Sequence, residues 1–179
     1  MIIGVTGIIG SGKSTAADLL AKRFNARIIG VDAVGHEVLA QNKFVRFGVR
    51  CFFGSLDRKD IARQVFSSRR KLVLLNMLLH PFMRQCIKQQ LRETEDNLIL
   101  DAALLFPLRL FRYCDQVVFV TAHKALIYKR LAAKGYSSSQ IKQRLIANRG
   151  VYKYQKKAVL LPNNGSLARL KEAVLGLQF

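Results

Sequence analysis

Acidic residues are scarce in this sequence: 11 Asp and Glu stand against 30 Lys and Arg, a formal charge of +19 at pH 7. The deficit is sharpest from Gln116 through Lys171, where no acid occurs among twelve bases: Lys124, Lys129, Arg130, Lys134, Lys142, Arg144, Arg149, Lys153, Lys156, Lys157, Arg169 and Lys171. A chain so charged attracts polyanions, and a nucleotide with several phosphates suits it as well as RNA or DNA does. Cysteine is also sparse. Cys51, Cys86 and Cys114 are odd in number, far apart and in no metal-ligand spacing, which argues against a disulfide framework or thiolate site and predicts buried, reduced thiols. His36, His80 and His123 are scattered, which argues against a zinc site. No window reaches the roughly 20 consecutive apolar residues of a bilayer span, and the apolar start Met1 to Val5 meets a glycine-rich loop too soon for a signal peptide. The expectation is a cytoplasmic protein with no membrane partner. Repeats, low-complexity tracts and Pro-rich linkers are missing, so 179 residues, half of them hydrophobic, predict one domain over 1–179.

What is present begins with Ile2-Ile3-Gly4-Val5-Thr6, short, apolar and β-branched, followed by glycines and a helical pattern from about Lys13 to Arg23. This reads as a buried parallel strand leading through a loop into a helix. The strand signal returns at Ala26 to Val31, Leu98 to Leu100, Val117 to Thr121 and Ala158 to Leu161, the last stopped by Pro162 and the Asn163-Asn164-Gly165 turn. Strands separated by helical stretches predict an α/β fold with a five-stranded parallel sheet covered on both faces. Residues 34–94 lack strand signals and read as several helices, broken near Phe53-Gly54-Ser55. Their expected use is a pocket for a second substrate, since ligands in open α/β folds sit beyond the carboxyl ends of the strands.

Gly7-Ile8-Ile9-Gly10-Ser11-Gly12-Lys13-Ser14 has the Walker A spacing, in the strand-loop-helix context that this motif requires. Glycines let the backbone curl until its N–H groups point at a β-phosphate, and the following helix adds its positive end. Gly7, Gly10, Ser11, Gly12, Lys13, Ser14 and Thr15 are therefore expected to bind ATP, with Lys13 bridging the β- and γ-phosphates and the Ser14 hydroxyl on Mg²⁺. Phosphoryl transfer to a hydroxyl also wants a carboxylate near acceptor and metal. Asp32 and Asp101 follow the carboxyl ends of predicted strands and should face this loop; Asp115 precedes its strand and should lie at the opposite edge. Asp32 is the candidate base, Asp101 the candidate second-sphere Mg²⁺ group, and a helix cap is the alternative role for each. The basic segment 122–157, broken at Gly135-Tyr136-Ser137-Ser138-Ser139, reads as a lid whose Arg130 and Arg144 neutralise charge on the transferring group.

Together these residues resemble the dephospho-CoA kinase family over nearly the whole chain. Gly4-Val5-Thr6-Gly7 through Lys13-Ser14-Thr15 is similar to the family's opening, which usually has glycine where this chain has Ile8. Gly54-Ser55-Leu56-Asp57-Arg58 with Val65-Phe66, Leu75-Asn76 to His80-Pro81, Asp101 to Phe106, Cys114-Asp115 to Val120, Lys129-Arg130-Leu131 and Asn163-Asn164-Gly165 resemble later family segments in order and spacing. The resemblance implies a P-loop kinase fold and ATP-dependent phosphorylation of the ribose 3′-hydroxyl of dephospho-CoA, with Arg58 and His80 lining the acceptor pocket and Asn163 contacting adenine. Several positions depart from the family. Its Asp-x-Asp after the second strand, whose second acid is usually assigned to catalysis, reads Asp32-Ala33-Val34; its Glu and Pro near the third strand are Pro107 and Ala103; its lid Arg-x-x-x-Gln ends in Asn148; and an Ala-Asp pair is Lys157-Ala158.

Two alternatives stand beside that reading: another small-molecule P-loop kinase, or a nucleotide-binding regulatory or nucleic-acid-binding protein with weakened catalysis. Nucleic acid is the less favoured partner, because no nucleic-acid module is recognisable and the aromatics do not alternate with the bases in a stacking pattern. A monomer or small homo-oligomer is expected.

Overall fold

Five parallel strands, β1 (Ile2–Gly7), β2 (Ala26–Gly30), β3 (Asn97–Asp101), β4 (Gln116–Thr121) and β5 (Val159–Pro162), form one sheet in the order β2-β3-β1-β4-β5. The computed structural model describes residues 1–179 apart from the side chain of Phe66, so that half of the Val65-Phe66 pair lies outside the described residues. Contacts divide the chain into two units, 1–30 with 96–179, and 31–95.

In the first unit, α1 (Lys13–Phe24) and α8 (Leu167–Leu175) cover one face of the sheet through Ala16, Ala17, Leu20, Leu170 and Val174, packed on Ile3, Val5, Ile99, Val118 and Val120. β4 shows why the sheet is apolar on both sides: Val118 and Val120 join that cluster, while Phe119 between them points to the other face. There α6 (Lys124–Ala133), α7 (Ser138–Ala147) and a 3₁₀ segment (Arg149–Lys157) supply Ile127, Leu131, Ile141 and Val151. Ser137 caps α7 in a capping box with Gln140, which starts a new helix directly after the Gly135 break. The five strands and the double covering expected from the sequence are all present.

The second unit is entirely helical: α2 (Val31–Gln41), α3 (Lys43–Phe53), α4 (Arg58–Ser67) and α5 (Arg69–Arg92). Side-chain caps start three of them, from Asn42, Asp57 and Ser68, and Gly54 closes α3 in the left-handed region. Two expectations need correction. Val31 opens α2 rather than ending β2, because no loop intervenes between strand and helix. Cys51 is exposed on α3, while Cys86 and Cys114 are half-buried, so the three thiols are not all interior. Burial first, and the neighbouring Asp115 charge second, push the Cys114 thiol up to about 12.

Register places the chemistry. Val5 pairs with Asp101, and Gly7 with Val120, so the loop after β1 leaves the sheet between the carboxyl ends of β3 and β4. Gly7 has φ +149°, and a Cβ there would run into the Val120 carbonyl oxygen. Gly7→Ala should therefore lower unfolding stability by about 2 kcal/mol or more, read from the urea midpoint; an unchanged midpoint would contradict this close strand approach.

Candidate active site

The loop from Gly7 to Gly12 ends on α1, whose N-cap is Gly12 itself, in the left-handed region at φ 93°. A glycine cap offers no side chain to the first-turn N–H groups, and that turn holds no acid, so its amides and positive end are open to an anion. The backbone curl is fixed from two sides. Asn163 Nδ2 donates to the Ser11 carbonyl at 2.8 Å, and Arg130 Nη1 donates to the same oxygen at 3.1 Å. Arg130 Nη2 also donates to the Asn163 carbonyl at 3.1 Å and to its Oδ1 at 3.2 Å, tying α6 and the end of β5 to the loop. A Cβ on Gly12 would strike Asn163 Nδ2, so glycine is required there by both dihedral and space.

Asp101 closes β3 beside this loop, and Ser14 Oγ donates to Asp101 Oδ2 at 2.7 Å. A hydroxyl and a carboxylate at that distance fit Mg²⁺, which takes few protein oxygens and keeps waters and phosphate oxygens as its other ligands. No group of three or more acidic, His or Cys side chains suited to a metal occurs among the described residues.

A cleft of about 620 Å³ runs along Gly10, Gly12, Lys13, Ser14 and Thr15 to Arg130, Lys134, Tyr136, Asn163 and Leu167. Of the residues expected to bind ATP, Arg130, Asn163 and the loop thus meet in one place. Arg144 does not line it; its guanidinium lies 4.3 Å over the ring of Tyr136, which does. Asp115 is at the opposite edge, as expected, with Oδ2 accepting the Ile2 N–H at 2.7 Å. Sequence reasoning missed Lys134, Tyr136 and Leu167, which carry no motif, and it noted Asn148 only as a departure. Asn148 Oδ1 accepts the Ile9 N–H at 3.2 Å, so this position reaches the loop itself.

The helical unit holds the other named residues. Asp32 is exposed in the first turn of α2, where a carboxylate complements the helix dipole. Val34, in the position of the family's second acid, is buried at 4% exposure. Arg58 Nη2 lies 2.7 Å from His36 Nε2. His80 stands before Pro81 inside α5, with Nε2 buried and without a hydrogen-bond partner among the described residues. Desolvation first, then the Arg84 charge, hold its imidazole below the usual 6.5.

Two outcomes follow from this geometry. Asn163→Ala removes a buried bond to the Ser11 carbonyl, and ATP affinity measured by calorimetry should weaken about tenfold; unchanged affinity would remove Asn163 from the site. His80 is neutral in both folded and unfolded chains well above 6.5, and as pH falls through 6.5 the unfolded chain takes up its proton first. Urea stability should therefore drop as pH falls below about 6.5, and His80→Gln should flatten that slope. An equal slope in both proteins would assign the effect elsewhere.

A family model described as dephospho-CoA kinase matches residues 1–169. The dephospho-CoA kinase of Chlorobaculum tepidum is 31% identical over 191 aligned residues, covering 97% of this chain and 91% of that protein. The crystal structure of TT1252 from Thermus thermophilus superposes with a TM-score of 0.80 at 30% identity, over 98% of this chain and 94% of that one. The dephospho-CoA kinase from Campylobacter jejuni shares the fold, with a TM-score of 0.68 at 24% identity over 97% and 93% of the two chains. With a P-loop at the carboxyl end of β1, its serine bonded to the aspartate that ends β3, and a match across nearly the full length, this chain belongs to the dephospho-CoA kinase family.

Proposed function

We propose that this chain transfers the γ-phosphoryl group of ATP to the ribose 3′-hydroxyl of dephospho-CoA, giving ADP and coenzyme A. The observation that carries the reading is the Ser14–Asp101 bond at 2.7 Å beneath an uncapped helix N-terminus, in a chain of this family. The first-turn amides of α1 and Lys13 hold the phosphates, and Arg130 adds positive charge along the cleft. Ser14 would hold Mg²⁺, with Asp101 in the second sphere accepting the Ser14 hydroxyl proton, and the ion when bound would neutralise charge on the β- and γ-phosphates.

In the transfer, the 3′-oxygen forms a bond to the γ-phosphorus while the bond from phosphorus to the bridging oxygen of ADP breaks. The hydroxyl proton passes to a carboxylate, and Asp32 is the acid we assign to it. Gly30, the register partner of Asp101, is two residues before Asp32, and with Val34 apolar Asp32 is the acid of the first turn of α2. The helical region 34–94 serves acceptor binding through Arg58 and His80. The segment 122–157 serves as the lid, with Arg144 drawn to the transferring phosphoryl. The same reading makes a cytoplasmic monomer or small homo-oligomer the working form.

The test is acceptor-dependent ADP formation, with the product checked by mass for one added phosphate. Lys13→Ala should abolish turnover with an unchanged circular dichroism spectrum, and an undiminished rate would remove the central claim. Asp32→Asn should slow transfer by about 10²- to 10⁴-fold. Asp115→Asn should leave it within a few fold, since that side chain is committed to Ile2 at the far edge of the sheet. Equal effects of the two substitutions would undo the assignment of the base.

A further inference from the structure

The side chains of α3 fall into three arcs. Val45, Val49 and Phe53 are buried. Lys43, Arg46 and Arg50 form a cationic arc, in which Arg46 also donates to the Ala40 carbonyl. Phe44, Phe47 and Phe52 point outward, at 81%, 73% and 57% exposure. A single exposed apolar residue is ordinary, but three phenyl rings on one helix of 11 residues keep a large apolar area in water.

α5, packed beside α3, carries the same chemistry. Gly48 of α3 lies against Leu78 of α5, and on α5 Val73 and Met77, one turn apart, are 51% and 69% exposed. Arg69 and Arg70 line the groove with them. Neither α3 nor α5 contains an acidic residue.

We propose that this face of the helical unit is a docking surface for an anionic phospholipid bilayer, the phenyl rings entering the interface and the flanking arginines meeting lipid phosphates. A helix with aromatic side chains on one arc and Lys and Arg beside it is the arrangement that lies in a membrane interface, and anionic lipid adds attraction for each nearby cation. A second copy of this chain fits poorly, because it would set acid-free basic helices against each other. A single-stranded nucleic acid would stack on Phe44, Phe47 and Phe52 but gain nothing from the aliphatic Val73 and Met77, which a bilayer interface takes up along with the rings. The expectation of no membrane partner rested on spanning segments. No helix among the described residues is long and apolar enough to cross a membrane, but a helix lying on the surface needs no such length.

The experiment is co-sedimentation of the full chain with vesicles of phosphatidylcholine alone, and of phosphatidylcholine mixed with phosphatidylglycerol. Phe44→Ser with Phe47→Ser removes two rings that are mostly in solvent, so its circular dichroism spectrum and ADP formation with dephospho-CoA should match the parent. The parent should bind the mixed vesicles and lose binding as salt rises, and the double variant should bind them at least about tenfold more weakly. Equal binding by parent and variant, or equal binding to neutral vesicles, would overturn the proposal. So would a variant whose only changes are weaker oligonucleotide binding, a raised KM for dephospho-CoA or a lost dimer, each assigning the face to another occupant.

Discussion

The carbonyl of Ser11 accepts hydrogen bonds from two elements that are remote in sequence, and the site depends on that convergence. Arg130 arrives from α6 and Asn163 from the end of β5, and the two are bonded to each other as well. A loop of mostly small residues has many conformations of similar energy. Anchoring one carbonyl from two directions selects the conformer whose amides face outward, and Gly12 is the residue that leaves room for Asn163 to do it. The sheet supplies the rest by register, since Val5–Asp101 pairing delivers the carboxylate to Ser14 without help from any loop.

Charge is distributed to match. Within the first unit the acid of the site is Asp101 and the cations are many, so an anion entering the cleft meets little repulsion. Asp115, another acid of this unit, is tied to the Ile2 amide at the other edge. Arg144 is found over the face of Tyr136.

Much of this was legible because strand ends are strong signals. A short apolar run followed by a single Asp placed Asp101 at a carboxyl end, and an Asp before a run placed Asp115 at the opposite edge. Arg130 was legible as a cation of the basic segment and Asn163 through resemblance, but their bonds to the Ser11 carbonyl were not, since nothing local in either segment points to a partner more than a hundred residues away. The helical unit was visible as a lack of strands. Its surface was not, because helical periodicity says which arc is apolar and not which part of a broad apolar arc is covered. Val45, Val49 and Phe53 are inside while Phe44, Phe47 and Cys51 on the same helix are outside. Asn148 was legible only as a departure from the family pattern, because the Ile9 amide that it accepts lies far away in sequence.

Ile8, where the family usually has glycine, is 2% exposed and packs with Ile127 and Leu131 of α6, Ile141 of α7, and Val151. A branched side chain in that position narrows the conformations open to the free loop, and its burial fastens the loop to the same core as the two helices expected to form a lid. A flexible glycine would leave part of that ordering to be imposed by the incoming nucleotide, at an entropic cost to affinity. In this chain the ordering is done at folding, and the loop and the base of the basic helices are one mechanical piece before any phosphate arrives.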